Sequence, residues 1–117
     1  MRYRDLIVWQ KAMDLVIATY RLSQIFPASE KFGLAAQMQR AAVSIPRNIA
    51  EGHARKSTGA FTNQLSIAAG SLAELETQIT LAHRLDLCPQ ELAESLLTRT
   101  DEIGRMLNGL KASLTNS

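Results

Sequence analysis

Between residues 61 and 82 the apolar side chains Phe61, Leu65, Ala68, Leu72, Leu75, Ile79 and Ala82 recur at alternating steps of four and three. These are the a and d positions of three consecutive heptads. A strand would throw such residues onto both of its faces, whereas a helix gathers them into one stripe. The spacing predicts a long helix with one apolar seam, and such a seam is buried only against other helices.

The rest of the chain repeats the pattern. In the first segment Leu6, Trp9, Met13, Val16 and Tyr20 form a stripe, and Val8, Ala12, Leu15, Leu22 and Phe26 form a second one about 100° round the same helix. Arg4, Lys11, Asp14 and Arg21 make a narrow polar face. An apolar arc this wide predicts that the first helix also packs against another subunit. Phe26-Pro27 ends it, since the residue before proline avoids helical backbone. Ser29 is the expected N-cap of the second helix, with Glu30 favouring the dipole. Its core stripe is Leu34, Met38, Ala41, Ile45 and Ile49; its opposite face reads Gln37, Arg40, Ser44, Arg47, Glu51 and Arg55. Pro46 deletes a hydrogen bond at roughly 3 kcal/mol. Because the apolar register continues through residues 47–54, a kink is expected rather than a break.

Ser57 or Thr58 caps the third helix, and Gly70-Ser71 in its middle predicts close helix contact. Leu87-Cys88-Pro89 forms a turn with Pro89 at a first helical position. Leu92, Leu96, Ile103, Met106 and Leu110 then line one side of the fourth helix, with Glu91 and Glu94 in its first turn. The reading is all-α: one domain over 1–117, an antiparallel up-down-up-down four-helix bundle with helices at approximately 4–25, 29–55, 58–86 and 89–114, the second kinked at Pro46.

A chain of 117 residues buries a core of its own without disulfides or metal. The single Cys88 fits a reducing compartment, and there is no apolar run long enough for a membrane. A cytoplasmic protein without membrane contact is expected. The net charge of +2 conceals a segregation. Residues 1–60 hold nine Lys/Arg against four acids, giving +5; residues 61–117 hold four against seven, giving −3. The halves either neutralise each other, within the fold or between subunits, or leave a basic face for a partner.

Catalytic constellations are missing. Gly52 to Thr58 superficially suggests a phosphate loop, but Lys56 follows Gly52 by four positions, without a second glycine before it. Neither His53 nor His83 sits three residues after a glutamate or in any other metal-ligand spacing, so no metal site is expected. Cys88 lies in an apolar turn, which raises a thiol pKa. Glu74 and Glu76 point to different faces, and an ion pair of Glu74 with a helix-2 arginine or Arg99 is expected rather than acid-base catalysis. No catalytic residue and no cofactor is expected.

What remains is a stripe of positive charge. Arg40 and Arg47 lie two turns apart on one face, and Arg55 and Lys56 extend it. Glu51, four residues from both Arg47 and Arg55, is expected to neutralise part of it. Ser44 and Asn48 are candidate phosphate donors, and the first amides of the third helix would favour an anion beside Lys56 and Ser57. Trp9, Tyr20, Phe26 and Phe61 fit the core, leaving Tyr3 and Phe32 as the aromatics without a place. Backbone binding of structured RNA or DNA through Arg40, Arg47, Arg55 and Lys56 follows, multiplied if subunits repeat round a ring.

The stretches "YRDLIVWQKAMDLV", "FGLAAQMQRAAVSIPRNIAEGHARKS", "FTNQLSIAAGSLAELETQI" and "EIGRMLNGL" resemble the four-helix bundle proteins of the 23S rRNA intervening-sequence type, over almost the whole chain. Arg40 to Gly52 and Gly70 to Glu76 carry the resemblance most specifically. It implies a small bacterial bundle that assembles as a ring-shaped homopentamer. A related branch, the accessory variability determinant of diversity-generating retroelements, has a basic surface and associates with nucleic acid and a reverse transcriptase; the resemblance extends that role here by analogy. This chain departs from the usual pattern at Gly59-Ala60, where acids often open the third helix, and at Gln37 and Gln39, where basic residues are commoner. The alternative reading is a scaffold or accessory module for a protein partner, its arginines making intersubunit ion pairs.

Overall fold

In the computed structural model, which describes residues 2–115, the heptad segment is one helix, and the described residues contain four α-helices and no strand. They are α1 (Ile7–Ser23), α2 (Leu34–Ala54), α3 (Thr58–Arg84) and α4 (Gln90–Thr115). Single 3-10 turns occupy Tyr3–Asp5 and Ala28–Glu30. The bundle measures 46 × 22 × 20 Å, and the 27 residues of α3, rising about 40 Å, run nearly its whole length. Each helix packs on its two neighbours in the square, and the backbones of the diagonal pairs α1–α3 and α2–α4 stay apart.

The α3 seam is as the heptads predict: Leu65, Ala68, Leu72, Leu75, Ile79 and Ala82 are buried and Phe61 is half-buried. Helix α1 is shorter than expected, and it turns its second stripe inward. Val8, Ala12, Leu15, Thr19 and Leu22 are buried, while Met13 and Tyr20 of the first stripe are exposed. Thr19 completes the core face because its hydroxyl donates to the Leu15 carbonyl at 2.8 Å, so its buried hydroxyl is paired. Helix α4 is rotated in the same way. Ala93, Leu96, Thr100, Ile103 and Leu107 face the core, and Leu92 is exposed. The Thr100 hydroxyl lies 2.9 Å from the Leu97 carbonyl and 3.0 Å from Glu76 Oε2.

Ser29 does not cap α2. It falls in the 3-10 turn, and α2 begins after Gly33, four residues later than expected. Pro46 is buried inside the helix, which runs on to Ala54. Ser57 caps α3, its hydroxyl accepting the Ala60 N–H at 3.1 Å. At the far end Leu87 N–H reaches the Ala82 carbonyl at 2.9 Å and Asp86 N–H the His83 carbonyl at 3.0 Å. Asp86 takes the left-handed position of this motif, φ 59°. Pro89 stands just before α4, its carbonyl accepting the Ala93 N–H.

At Gly52 α2 lies tight against α3. A Cβ there would lie 2.7 Å from Gln64 Cβ and 2.9 Å from Phe61 Cδ1. Gly70, expected at a close contact, faces open space; its neighbour Ser71 makes the contact instead, 2.7 Å from Ser44 Oγ. Gly52→Ala is therefore expected to destabilise by about 1–3 kcal/mol through overpacking. Gly70→Ala is expected to stabilise by about 0.5–1 kcal/mol through helix propensity. Urea midpoints of the two variants check the opposite signs.

Candidate nucleic-acid interface

Alanines shape the α2 surface before its charges do. Ala35, Ala41 and Ala42 are buried with Met38, Ile45 and Ile49, so α2 sits low in the bundle and presents its polar edge outward. Arg40 and Arg47 are exposed on that edge, separated by about 10 Å of helix rise. Arg55 follows the last turn of α2 in extended backbone, and Lys56 lies beside it in the connection to α3; both are exposed. Arg40 and Arg47 line a hollow of about 430 Å³ with Tyr20, Ala36, Gln39 and Val43. The ion pairs among the described residues are Lys11–Glu102 at 2.7 Å and Arg105–Asp101 at 3.0 Å. None of the four basic residues has a carboxylate within ion-pair reach.

Several expectations around this edge are corrected. Glu51 is exposed and pairs with neither Arg47 nor Arg55. Ser44 and Asn48 are not free donors. Asn48 is 5% exposed, and its amide donates to the Ser44 carbonyl at 2.7 Å and the Ser44 hydroxyl at 3.0 Å. Their polarity is spent in the α2–α3 seam. The Ser57 hydroxyl satisfies one α3 amide, so the helix start offers less to an anion than its sequence suggests. Glu74 is exposed and its recorded contact is the Gln78 amide at 3.5 Å; it pairs with no arginine. Arg99 is exposed too, and lines a hollow with Asp14 and Arg21 between α1 and α4.

Tyr20 went unrecognised as a surface residue. Apolar periodicity marked it as core, but the choice between two neighbouring stripes left it 41% exposed beside Arg40. Phe32 is 87% exposed; its place just before Gly33, at a helix start, is the signal that it lies in a turn.

The remaining chemistry is modest. No group of three or more His, Cys, Asp and Glu residues with metal-holding geometry occurs among the described residues. No described helix is long and apolar enough to cross a membrane. His53 packs edge-on to Phe61 with centroids 5.6 Å apart. The Lys11 ammonium, hydrogen-bonded to Glu102, holds that carboxyl below the usual range. Burial pushes the Cys88 thiol up.

The chain matches the family model described as 23S rRNA-intervening sequence protein over residues 4–109. A crystal structure of a protein of unknown function from the S23 ribosomal protein family of Bacteroides thetaiotaomicron VPI-5482 is similar, with a TM-score of 0.84 and 26% identity. The match covers 90% of this chain and 98% of that one. No curated protein matches the chain.

A raised thiol pKa leaves little thiolate at neutral pH. Cys88 is therefore expected to react with iodoacetamide more slowly in the native protein than in urea, and its rate should go on rising with pH beyond the point at which the unfolded thiol levels off. Labelling of the native chain as fast as free cysteine would show an open, activated thiol.

Proposed function

The chain belongs to the 23S rRNA-intervening sequence protein family, and on that premise we propose that it is a non-enzymatic homo-oligomer, a ring of five subunits, that holds the phosphate backbone of structured RNA or DNA. The Arg40, Arg47, Arg55 and Lys56 edge makes the contact. The observation that carries this reading is their shared exposure without a carboxylate partner: an unneutralised row of charge attracts polyanions. We take the bundle as antiparallel and up-down-up-down. In support, Ser44 meets Ser71 while Gly52 meets Gln64, and Glu76 meets Thr100 while Leu72 meets Gly104. A bend at Pro46 belongs to the same proposal, since the ring removes one N–H from a helix that otherwise continues.

Self-association has its own support. Ile7 and Ile17 are exposed on α1, and Leu81, Leu85 and Leu92 around the α3–α4 end. Two different apolar surfaces on one chain suit a head-to-tail interface, which forms a ring when the rotation between subunits closes. Repetition would place the basic edge five times on one assembly and multiply weak contacts.

The competing reading is an accessory module for a protein partner such as a reverse transcriptase, with the arginines in intersubunit ion pairs. The exposed Glu91 and Glu94 on α4 favour it, as carboxylates that a neighbouring subunit's arginines would meet. A gel shift with a folded RNA across a salt series separates the two. Four phosphate contacts per subunit give a steep decline of affinity with salt, and each of Arg40→Gln and Arg47→Gln should lower the slope of log K against log salt by about 1. Both variants should keep wild-type stability within about 0.5 kcal/mol, as exposed substitutions do. Affinity indifferent to salt would sink the phosphate mechanism. Sedimentation should give five copies of the 12.9 kDa chain, and dissociation by either arginine variant would favour the ion-pair reading.

A further inference from the structure

A second hollow, of about 570 Å³, lies where the α1–α2 connection meets α2, and it includes Lys31, Phe32 and Gln39. It shares Ala36 and Gln39 with the Tyr20–Arg40–Arg47 hollow, so the two adjoin along α2, and together they are termed the α1–α2 groove. No carboxylate lines either part. Three cations do: Lys31, Arg40 and Arg47. Two aromatic rings stand along it, Tyr20 at 41% and Phe32 at 87% exposure. The Lys31 ammonium lies 5.5 Å from the Phe32 ring centroid, which keeps positive charge beside that ring. Single exposed apolar residues are ordinary. Two rings and three unneutralised cations on one acid-free groove make the combination that binds single-stranded nucleic acid, with bases on the rings and phosphates on the cations.

We infer that the α1–α2 groove is a site for unpaired nucleotides, with bases stacked on Tyr20 and Phe32 and phosphates held by Lys31, Arg40 and Arg47. The inference rests on the nucleic-acid reading above and narrows its ligand: the basic edge holds the backbone of a structured molecule, and the groove takes an unpaired stretch of it. A continuous duplex presents phosphates but keeps its base faces stacked, so it cannot use the rings. Arg40 and Arg47 serve both surfaces, since they belong to the basic edge and line the groove.

Fluorescence anisotropy with an oligo(U), an oligo(dT) and a blunt duplex of equal length tests this on the full-length protein. Both single strands should bind more tightly than the duplex. Phe32→Ala and Tyr20→Ala should each weaken single-strand binding by about fivefold or more, while Tyr20→Phe keeps it. Duplex binding and the salt slope should be untouched by the ring substitutions, because the phosphate contacts remain. Phe32 is almost wholly exposed, so Phe32→Ala is expected to fold even if Tyr20→Ala does not. Equal affinity for duplex and single strand, or ring variants that bind as wild type, would overturn the inference and leave the phosphate edge standing. A change of oligomeric state in Phe32→Ala without a change in binding would assign the groove to a second copy of the chain and overturn it likewise. Salt-insensitive binding, or no binding to any of the three probes, would remove both readings together.

Discussion

The close approach of α2 to α3 is the constraint on which the other features depend. At Gly52 no side chain fits between the helices, and at Ser44, Asn48 and Ser71 a small hydrogen-bonded cluster replaces apolar packing. Buried polar groups that satisfy one another fix a register, because any slip leaves donors unpaired in a low-dielectric interior. The α2–α3 pair is also the most extensive contact in the bundle. Once its rotation is set, the side of α2 carrying Arg40 and Arg47 must point toward α1 and solvent. The candidate edge is thus fixed from the adjoining face of the same helix, where Ser44 is one turn from both Arg40 and Arg47.

That dependence explains which parts of the fold were legible in the sequence. The α3 seam was, because one stripe stands out from polar neighbours over three heptads. On α1 two apolar stripes compete, and the buried one runs through Thr19, a residue that hydropathy counts against the core. On α4 the buried stripe passes through Thr100 for the same reason. Threonine bonds to its own helix or to Glu76 and then packs through its methyl, so a pattern that counts only apolar residues turns each helix by part of a turn. The start of α2 was misplaced because Ser29-Glu30 has the chemistry of an N-cap, while the short connection from α1 needs a 3-10 turn first and leaves Gly33 to open the helix.

The candidate site was legible to a lesser degree. The four basic residues were visible as a helical stripe, and their exposure follows from it. Their neutralisation was not visible: Glu51 has ideal spacing to both Arg47 and Arg55 yet makes neither pair. Exposed pairs of this kind gain at most a few tenths of a kcal/mol, so spacing alone does not form them. Tyr20 was lost to the site by the same rotation that misassigned α1. A stripe drawn through Thr19 puts Tyr20 on the surface of α1, where the structure sets it beside Arg40.

Charge segregation along the chain acquires its consequence from the square arrangement of helices. The acidic half is concentrated on α4, in Glu91, Glu94, Asp101 and Glu102, and α4 is the helix diagonal to α2. The backbones of diagonal helices stay apart, and among the described residues no ion pair joins an α4 acid to an α2 arginine. Lys11–Glu102, between adjacent α1 and α4, is the one ion pair that joins the two halves among the described residues. Attraction across the bundle at larger separations is further weakened by salt. The segregation is therefore not cancelled at the α2 edge within the subunit. An α2 edge without an acid partner suits a polyanion and a neighbouring copy's carboxylates alike. The acid-free groove beside Tyr20 and Phe32 offers stacking in addition to charge, and that is what tilts this surface toward nucleic acid.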